Sequence, residues 1–439
     1  MTGLRKYQRD RELPALGGDQ ALVPPTASEV IALVEEHLLG ESSVTVSSVS
    51  WEYARWKPGV STTAVHCARL SDGSEKLITI KRYADGKAAQ LDQRWSRDAR
   101  LLELCAPLRP AAVLAERNLA LSTFPADRKL GGLPRLLDPR RTARILEERG
   151  WCEERSIRKH RLNFELLRFK PEHRAVYALH AKLRSQDGTK RARKLAARVL
   201  PPEAIRRIVI AREQLETRFA FDLAPELIAF DSAAGLLFEA WLELEVFDPS
   251  AIASFGESFR AGELLGQLHS CRPHQLAGLQ TVENRARVDL FRFDFELAER
   301  VALHHPRRSS APPVWKHGDF HPDQLGREHE GGRLRLLDMD ELSVGDPADD
   351  LASWIADRLA LEPSCSLADA SGDLLEGYHR TGGERLSHSE VAQATANALV
   401  GLAAGAIRRL EVGAVEKSKR LIALADQLVG SHQESGLSS

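Results

Sequence analysis

The chain has 439 residues, with 61 Lys and Arg against 62 Asp and Glu for a formal net charge of -1. That balance gives no bulk attraction to nucleic acid or to an anionic membrane, so neither is expected as a partner. Hydrophobic residues make up 43% and charged residues 28%, which excludes a disordered or fibrous chain and leaves length for two or three modules.

The opening residues 1–25 are polar and close on Pro24-Pro25, so a loose leader is expected. With no apolar run near the start there is no secretory signal to read. Thr26-Ala27-Ser28-Glu29 opens a helix, with Ser28 read as its N-cap and Ile31, Val34 and Leu38 on one face. From Ser42 to about Tyr83 the pattern turns to strands, with Asp72-Gly73 as a hairpin turn between the second and third runs. Helical periodicity resumes from Ala88 to Cys105.

An internal echo follows. Trp51-Glu52-Tyr53-Ala54-Arg55-Trp56-Lys57-Pro58 and Phe164-Glu165-Leu166-Leu167-Arg168-Phe169-Lys170-Pro171 share an aromatic-Glu-x-x-Arg-aromatic-Lys-Pro pattern. Each precedes an apolar strand, an Asp-Gly pair (Asp72-Gly73 and Asp187-Gly188) and another strand, which points to two copies of one β-hairpin unit. After the second copy come a strand ending at Val199, a helix from Glu203 to Phe219, and strands at 227–230 and 236–241. An amphipathic helix over Ala261 to His269 precedes the motif region, and the chain after Leu351 reads as helical, with a polar tail from Ser431. Five cysteines, Cys67, Cys105, Cys152, Cys271 and Cys365, contain no C-x-x-C pair, so neither zinc nor a disulfide framework is expected. The longest late apolar run, Ala398 to Ile407, is half a membrane span, and a cytoplasmic location is the default.

The chemistry concentrates in His317-Gly318-Asp319-Phe320-His321-Pro322-Asp323-Gln324 and, after an apolar run, Asp338-Met339-Asp340. A protein-kinase catalytic loop places a base two residues after a His, an amide that binds magnesium five residues on, and a second carboxylate ligand downstream. Asp319, Gln324 and Asp338 stand in that order and spacing. Three ligands in a tetrahedron would be needed for catalytic zinc, and no further His or Cys is spaced to join His317 and His321. Asp346 and Asp350 flank a strand-to-helix junction, where capping accounts for them.

These motifs, with Gly345-Asp346-Pro347-Ala348-Asp349-Asp350-Leu351-Ala352, resemble the aminoglycoside phosphotransferase and choline kinase family over roughly residues 235–355. The family writes its loop H-G-D-x-H-x-x-N; here Gln324 replaces the Asn, keeping the carbonyl donor and adding a methylene. The resemblance implies an α+β, bilobal protein-kinase-like fold, with an additional β-rich N-terminal module that repeats the N-lobe hairpin unit. The expected divisions are 1–40 as leader and first helix, 41–155 as the first repeat, 156–242 as N-lobe, 243–430 as helical C-lobe and 431–439 as flexible tail.

On that fold the expected cofactors are ATP and Mg2+. Asp319 would be the base, with His317 bracing its loop; Gln324 and Asp338 would hold magnesium, and Asp340, on the same side of the strand as Asp338, could support it. A cation on the third N-lobe strand should grip the phosphates, paired to a helix carboxylate. The candidates are Arg198 with Glu213 in the second repeat and Lys81 in the first. No Gly-rich phosphate loop is present; Lys170 and Arg174, at the tip of the second hairpin, are the candidates to cover the phosphates, and Glu239 and Trp241 would lie at the adenine hinge. The function expected is transfer of the γ-phosphoryl group to a hydroxyl of a small polar acceptor such as an aminosugar, sugar, amino alcohol or antibiotic. The alternative is a catalytically weak or inactive kinase-like nucleotide-binding scaffold.

Overall fold

Alternating apolar residues and tight turns fold the first third of the chain into an antiparallel sheet, described here from a computed structural model. The structure describes residues 22–40, 42–84, 86–91, 97–149, 151, 155–157, 162–185, 190–216, 223–246, 255–271, 273, 309–329, 332–362 and 364–435. Helix α1 (Ala27–Val34) is capped by Thr26, not by Ser28. The Thr26 hydroxyl accepts from the Glu29 amide while the Glu29 carboxylate accepts from the Thr26 amide, a reciprocal pair that the sequence reading placed two residues too late. Strands β1 (Val46–Lys57), β2 (Ser61–Leu70) and β3 (Glu75–Tyr83) follow, then helix α2 (Ala99–Cys105), β4 (Ala111–Leu114) and β5 (Leu119–Thr123). The helical pattern expected from Ala88 is a single turn over Lys87–Gln90 and then α2, whose start is fixed by the Asp98 carboxylate.

The strand order in this sheet is β1-β2-β3-β5-β4. Short helices α3 (Leu133–Leu136) and α4 (Pro139–Glu148) lead to β6 (Arg155–Ile157) and to a second sheet. It contains β7 (Asn163–Lys170), β8 (Arg174–Ser185), β9 (Lys190–Val199), helix α5 (Pro202–Glu216), β10 (Leu227–Asp231) and β11 (Leu236–Ala240). β11 lies between β9 and β10, and β7 pairs with β8, so this sheet repeats the order of the first, with a helix again between its third and fourth strands. The repeat is therefore a whole five-strand unit, larger than the hairpin the sequence echo revealed. Asp187-Gly188 lies outside the described residues.

Register makes the correspondence residue by residue. The first hairpin closes with Lys57 opposite Ser61 and the second with Lys170 opposite Arg174, each around a three-residue loop. Two residues along, Thr63 faces Lys81 in the first sheet and Val176 faces Arg198 in the second. On the other side Lys81 faces Ala120 and Arg198 faces Leu237. Lys81 and Arg198 thus hold equivalent positions on the two third strands.

The chain divides into two compact units, the described residues within Met1–Arg206, Glu226–Trp241 and Arg408–Val412 forming one and those within Arg207–Pro225, Leu242–Ile407 and Gly413–Ser439 the other. In the first, the faces of both sheets bury Val, Leu, Ile and aromatic side chains, with α1 over the first sheet and α3 and α4 against the second. The second unit holds β12 (Leu244–Val246), α6 (Phe255–Ser270), strands β13 (Val314–Lys316), β14 (Leu325–Glu328), β15 (Leu334–Leu336) and β16 (Ser343–Gly345), and helices α7 (Ala348–Leu361), α8 (Leu367–Arg380), α9 (His388–Arg408) and α10 (Ala414–Ser435). α10 carries regular helix to Ser435, into the stretch expected as a tail. Among the described residues, no helix is long and apolar enough to cross a membrane.

Helix α6 and helix α8 approach through glycines. A methyl group on Gly262 would meet the Leu374 carbonyl, and one on Gly377 the Phe259 carbonyl, so backbone rather than flexible side chain fills the space. Trp354 of α7 is buried near this contact and donates its indole N–H to the Ser258 hydroxyl at 3.3 Å. Gly377→Ala should cost about 1–3 kcal/mol by overpacking, lowering the thermal midpoint by several degrees. A calorimetric midpoint equal to wild type would show that the helices can part at no cost.

Candidate active site

Two very short antiparallel pairings build the site in the second unit. β13 pairs with β16, Lys316 opposite Ser343, and β14 pairs with β15, Leu325 opposite Leu336. The segment 317–324 leaves β13 and enters β14; the segment 337–342 leaves β15 and enters β16. The peptide groups of Leu337 lock the two together: its N–H donates to the Gln324 carbonyl at 2.8 Å, and its carbonyl accepts from His317 Nε2 at 2.8 Å. Asp338 follows at once, with φ +58, in the left-handed region that non-glycine residues rarely adopt.

The loop is braced from below by Asp350, on the first turn of α7. Its carboxylate accepts from the His317 N–H at 2.7 Å, the Gly318 N–H at 2.9 Å and His269 Nε2 at 3.1 Å, while His269 Nδ1 meets the Tyr378 hydroxyl at 2.9 Å. Asp350 and His269 are almost wholly buried, at 1% and 0% side-chain exposure. Burial pushes the Asp350 carboxyl up, but the hydrogen bond and charge of His269, with His317 and Lys316 adding to them, hold it below the ordinary carboxylate range. The capping role expected for Asp350 is therefore replaced by a bracing one. Asp346 precedes the cap position, which is Pro347, and accepts from the first helical N–H, that of Ala348, at 2.9 Å as well as from the Ser309 hydroxyl at 2.6 Å.

Gly318 has φ +84, and a Cβ there would sit 2.6 Å from the Glu341 carbonyl, so the turn between His317 and Asp319 requires glycine. Phe320 is buried between the His317 ring and Trp354, with centroids 6.1 and 5.4 Å away. With its two neighbours pinned, Asp319 stays half exposed, its side chain 55% accessible. Desolvation raises its carboxyl and Asp338 adds to that, yet His321 and His317 outweigh both and leave it below its usual value. His321 Nε2 lies 3.6 Å from Asp319; burial lowers the imidazole but the carboxylate wins and raises it.

Gln324 is buried, and its amide nitrogen donates to Asp319 at 3.4 Å and approaches His321 Nε2 at 3.1 Å. That use of the nitrogen leaves the carbonyl oxygen as the donor available to a hard cation. A carboxylate from Asp338 and an amide oxygen from Gln324 suit magnesium, which takes one or two protein oxygens and completes its shell with phosphate and water. Among the described residues, no three His, Cys, Asp or Glu side chains gather as a metal cluster. Asp340 is buried on the turn after Asp338, and Arg207 donates to its carbonyl at 2.9 Å.

The residues expected to hold nucleotide lie mostly in the first unit. Arg198 is buried on β9 and donates to Glu239 of β11 at 3.3 Å; Glu213 is exposed on α5. The carboxylate beside Arg198 thus comes from a neighbouring strand, where the expectation named a helix. Lys194 stands 3.6 Å over the Trp241 ring. Lys170 and Arg174 flank the hairpin loop, and Lys81 binds Glu172 at the tip of that loop at 2.6 Å. Sequence reading missed the partner roles of Glu172, Asp350 and His269, although all three lie in stretches it had singled out.

A sequence model of the phosphotransferase enzyme family matches residues 189–388. That segment contains the motifs that resemble this family, and the described residues show the mixed α and β class expected, with the strand order of the first sheet repeated in the second. Among solved structures, the chain is similar to a choline kinase from Cryptosporidium parvum Iowa II, at 12% identity and TM-score 0.49, covering 68% of this chain and 98% of that one. An aminoglycoside phosphotransferase from Alicyclobacillus acidocaldarius is similar at 14% identity and TM-score 0.40, covering 58% and 90%. A macrolide 2'-phosphotransferase type I is similar at 18% identity and TM-score 0.40, covering 66% and 97%. No curated protein matches the chain.

Asp350→Ala should leave two buried amide N–H groups and His269 without their acceptor, at a cost of about 3–5 kcal/mol. The sign of the pH effect follows from the lowered carboxyl: Asp350 stabilises the fold above the ordinary carboxylate range and loses that contribution as pH falls through its native value. Urea unfolding across pH should therefore show a shallower acid limb in Asp350→Asn than in wild type. Parallel curves would show that the carboxylate does not carry the brace.

Proposed function

We propose that this chain transfers the γ-phosphoryl group of ATP to a hydroxyl of a small polar acceptor. The observation that carries the reading is the locked pair of loops: one residue, Leu337, ties the Asp319 and Gln324 segment to Asp338 through its N–H and its carbonyl. The family match over 189–388 supports a phosphotransferase acting on a small molecule.

In this reading the Asp319 carboxylate accepts the hydrogen bond of the acceptor hydroxyl and aims its oxygen at the γ-phosphorus. As the new O–P bond forms, the bond from phosphorus to the β-phosphate bridging oxygen breaks, ADP leaves and the hydroxyl proton passes to Asp319. The lowered pKa keeps Asp319 ionised at neutral pH, so its contribution is orientation and late proton capture rather than strong basicity. His317 acts through Leu337, holding the loop in place. Asp338 and the Gln324 carbonyl oxygen would hold magnesium, which supplies charge neutralisation on the phosphate oxygens. Arg198, with Lys170 and Arg174 from the hairpin, would serve the nucleotide phosphates; Glu239 would position Arg198, and Trp241 would face the base.

A scaffold reading draws on one observation, that the Arg198 guanidinium is engaged by Glu239. Turnover separates the two. With magnesium, ATP and a panel of aminosugars, amino alcohols and macrolides, the wild type should release ADP, and Asp319→Ala should lower kcat by about 10²–10⁴-fold while still binding ATP. Nucleotide binding with no turnover across the panel, and no difference in Asp319→Ala, would favour the scaffold.

A further inference from the structure

The repeat gives the chain two equivalent third-strand cations, and the structure engages them differently. Arg198 bonds within its own sheet. Lys81 reaches out of its own repeat to Glu172, the middle residue of the second repeat's hairpin loop, with side-chain exposures of 13% and 17%. Arg128 takes the other Glu172 carboxylate oxygen at 3.3 Å. The Glu172 main-chain N–H donates to Asp127 at 2.8 Å, and the other Asp127 oxygen is held by the N–H groups of Lys129 and Leu130. The tip is therefore fixed through both side chain and backbone by one short segment and one strand of the first repeat.

The conformation of Glu172 reinforces the point. It has φ +59, and the equivalent loop residue in the first hairpin is Gly59, with φ +62. A glutamate in the left-handed region costs energy that glycine avoids, and it persists here where three partners hold it. The surroundings are rich in cations: burial, then Arg55 and Lys81, push Lys57 down to about 8, and the Glu172 carboxylate offsets part of that. Beside Lys81 and Glu172 lies a cavity of about 40 Å3, lined also by Thr79, Tyr83 and Arg128. That volume suits about one or two waters and is far short of a nucleotide.

We infer that the first repeat is an anchor for the second: Lys81, Arg128 and Asp127 hold Glu172, and so fix the 170–174 hairpin in the position from which it serves the nucleotide. The inference rests on the phosphotransfer reading for its consequence, not for its geometry. Lys81 is then a positioning residue, one that acts on ATP only through the hairpin.

Three variants of the full chain test this. Lys81→Ala removes the cation, Glu172→Gly removes the carboxylate while relieving the left-handed backbone, and Lys81→Arg keeps the pair. Amide hydrogen exchange over 170–174 should rise at least about tenfold in the first two and stay near wild type in the third. KM for ATP should rise about tenfold in the first two with kcat changed less than about twofold, as expected for loss of positioning rather than chemistry. Unchanged exchange in Lys81→Ala and Glu172→Gly overturns the anchor. A raised KM in Lys81→Ala with a normal one in Glu172→Gly also overturns it, because Lys81 would then touch nucleotide itself. A wild type that neither binds nor consumes ATP sinks the phosphotransfer reading instead, and the exchange measurement alone then decides the anchor.

Discussion

One buried carboxylate holds the candidate site together. Asp350 accepts two consecutive backbone N–H groups, from His317 and Gly318, and a histidine that is itself bonded to Tyr378. A carboxylate so deeply buried is costly unless it is fully hydrogen-bonded, and this one has partners from a loop and from helix α6. The turn it fixes is tight enough that Gly318 allows no side chain. From that turn Asp319 projects, half exposed, while His317 and Phe320 are buried. The chain spends its order on the frame and leaves the reactive group open.

The second lock is smaller and concerns the two candidate metal ligands. Gln324 and Asp338 are fourteen residues apart in sequence, and a single peptide group brings them into one register. Glutamine stands here where the family writes asparagine. The amide nitrogen is occupied by Asp319 and His321, and the extra methylene is accommodated by a side chain that is buried and doubly held. The site differs from the family's pattern in reach and keeps the donor atom.

Much of this was legible in the residues, and the limits have physical causes. The loop and metal motifs were readable because backbone turns and hard-donor chemistry demand particular residue types at fixed spacing. The duplicated hairpin was readable for the same reason: Arg-aromatic-Lys-Pro marks where each strand stops. The rest of the repeat was hidden, since helix α2 and helix α5 share no pattern, while the pairing of Lys81 with Arg198 as third-strand cations, already read from the echo, is matched residue by residue in the strand register. Partnerships were the other blind spot. Nothing in the letters said that Arg198 would find Glu239 rather than a helix carboxylate, or that Glu172 would be drawn to the other repeat, because such pairs are made by tertiary packing across 41 and 91 residues. The capping role read for Asp350 was a local answer to a residue whose partners are distant.

The central claim is that Asp338 and Gln324 together hold a divalent ion on a bound nucleotide. Manganese can stand for magnesium, and titration of manganese with ATP into the chain, followed by the relaxation of water protons, reports the ternary complex directly. The account predicts a strong enhancement in the wild type that is lost in Asp338→Ala and much reduced in Gln324→Ala. Equal enhancement in all three proteins would contradict it.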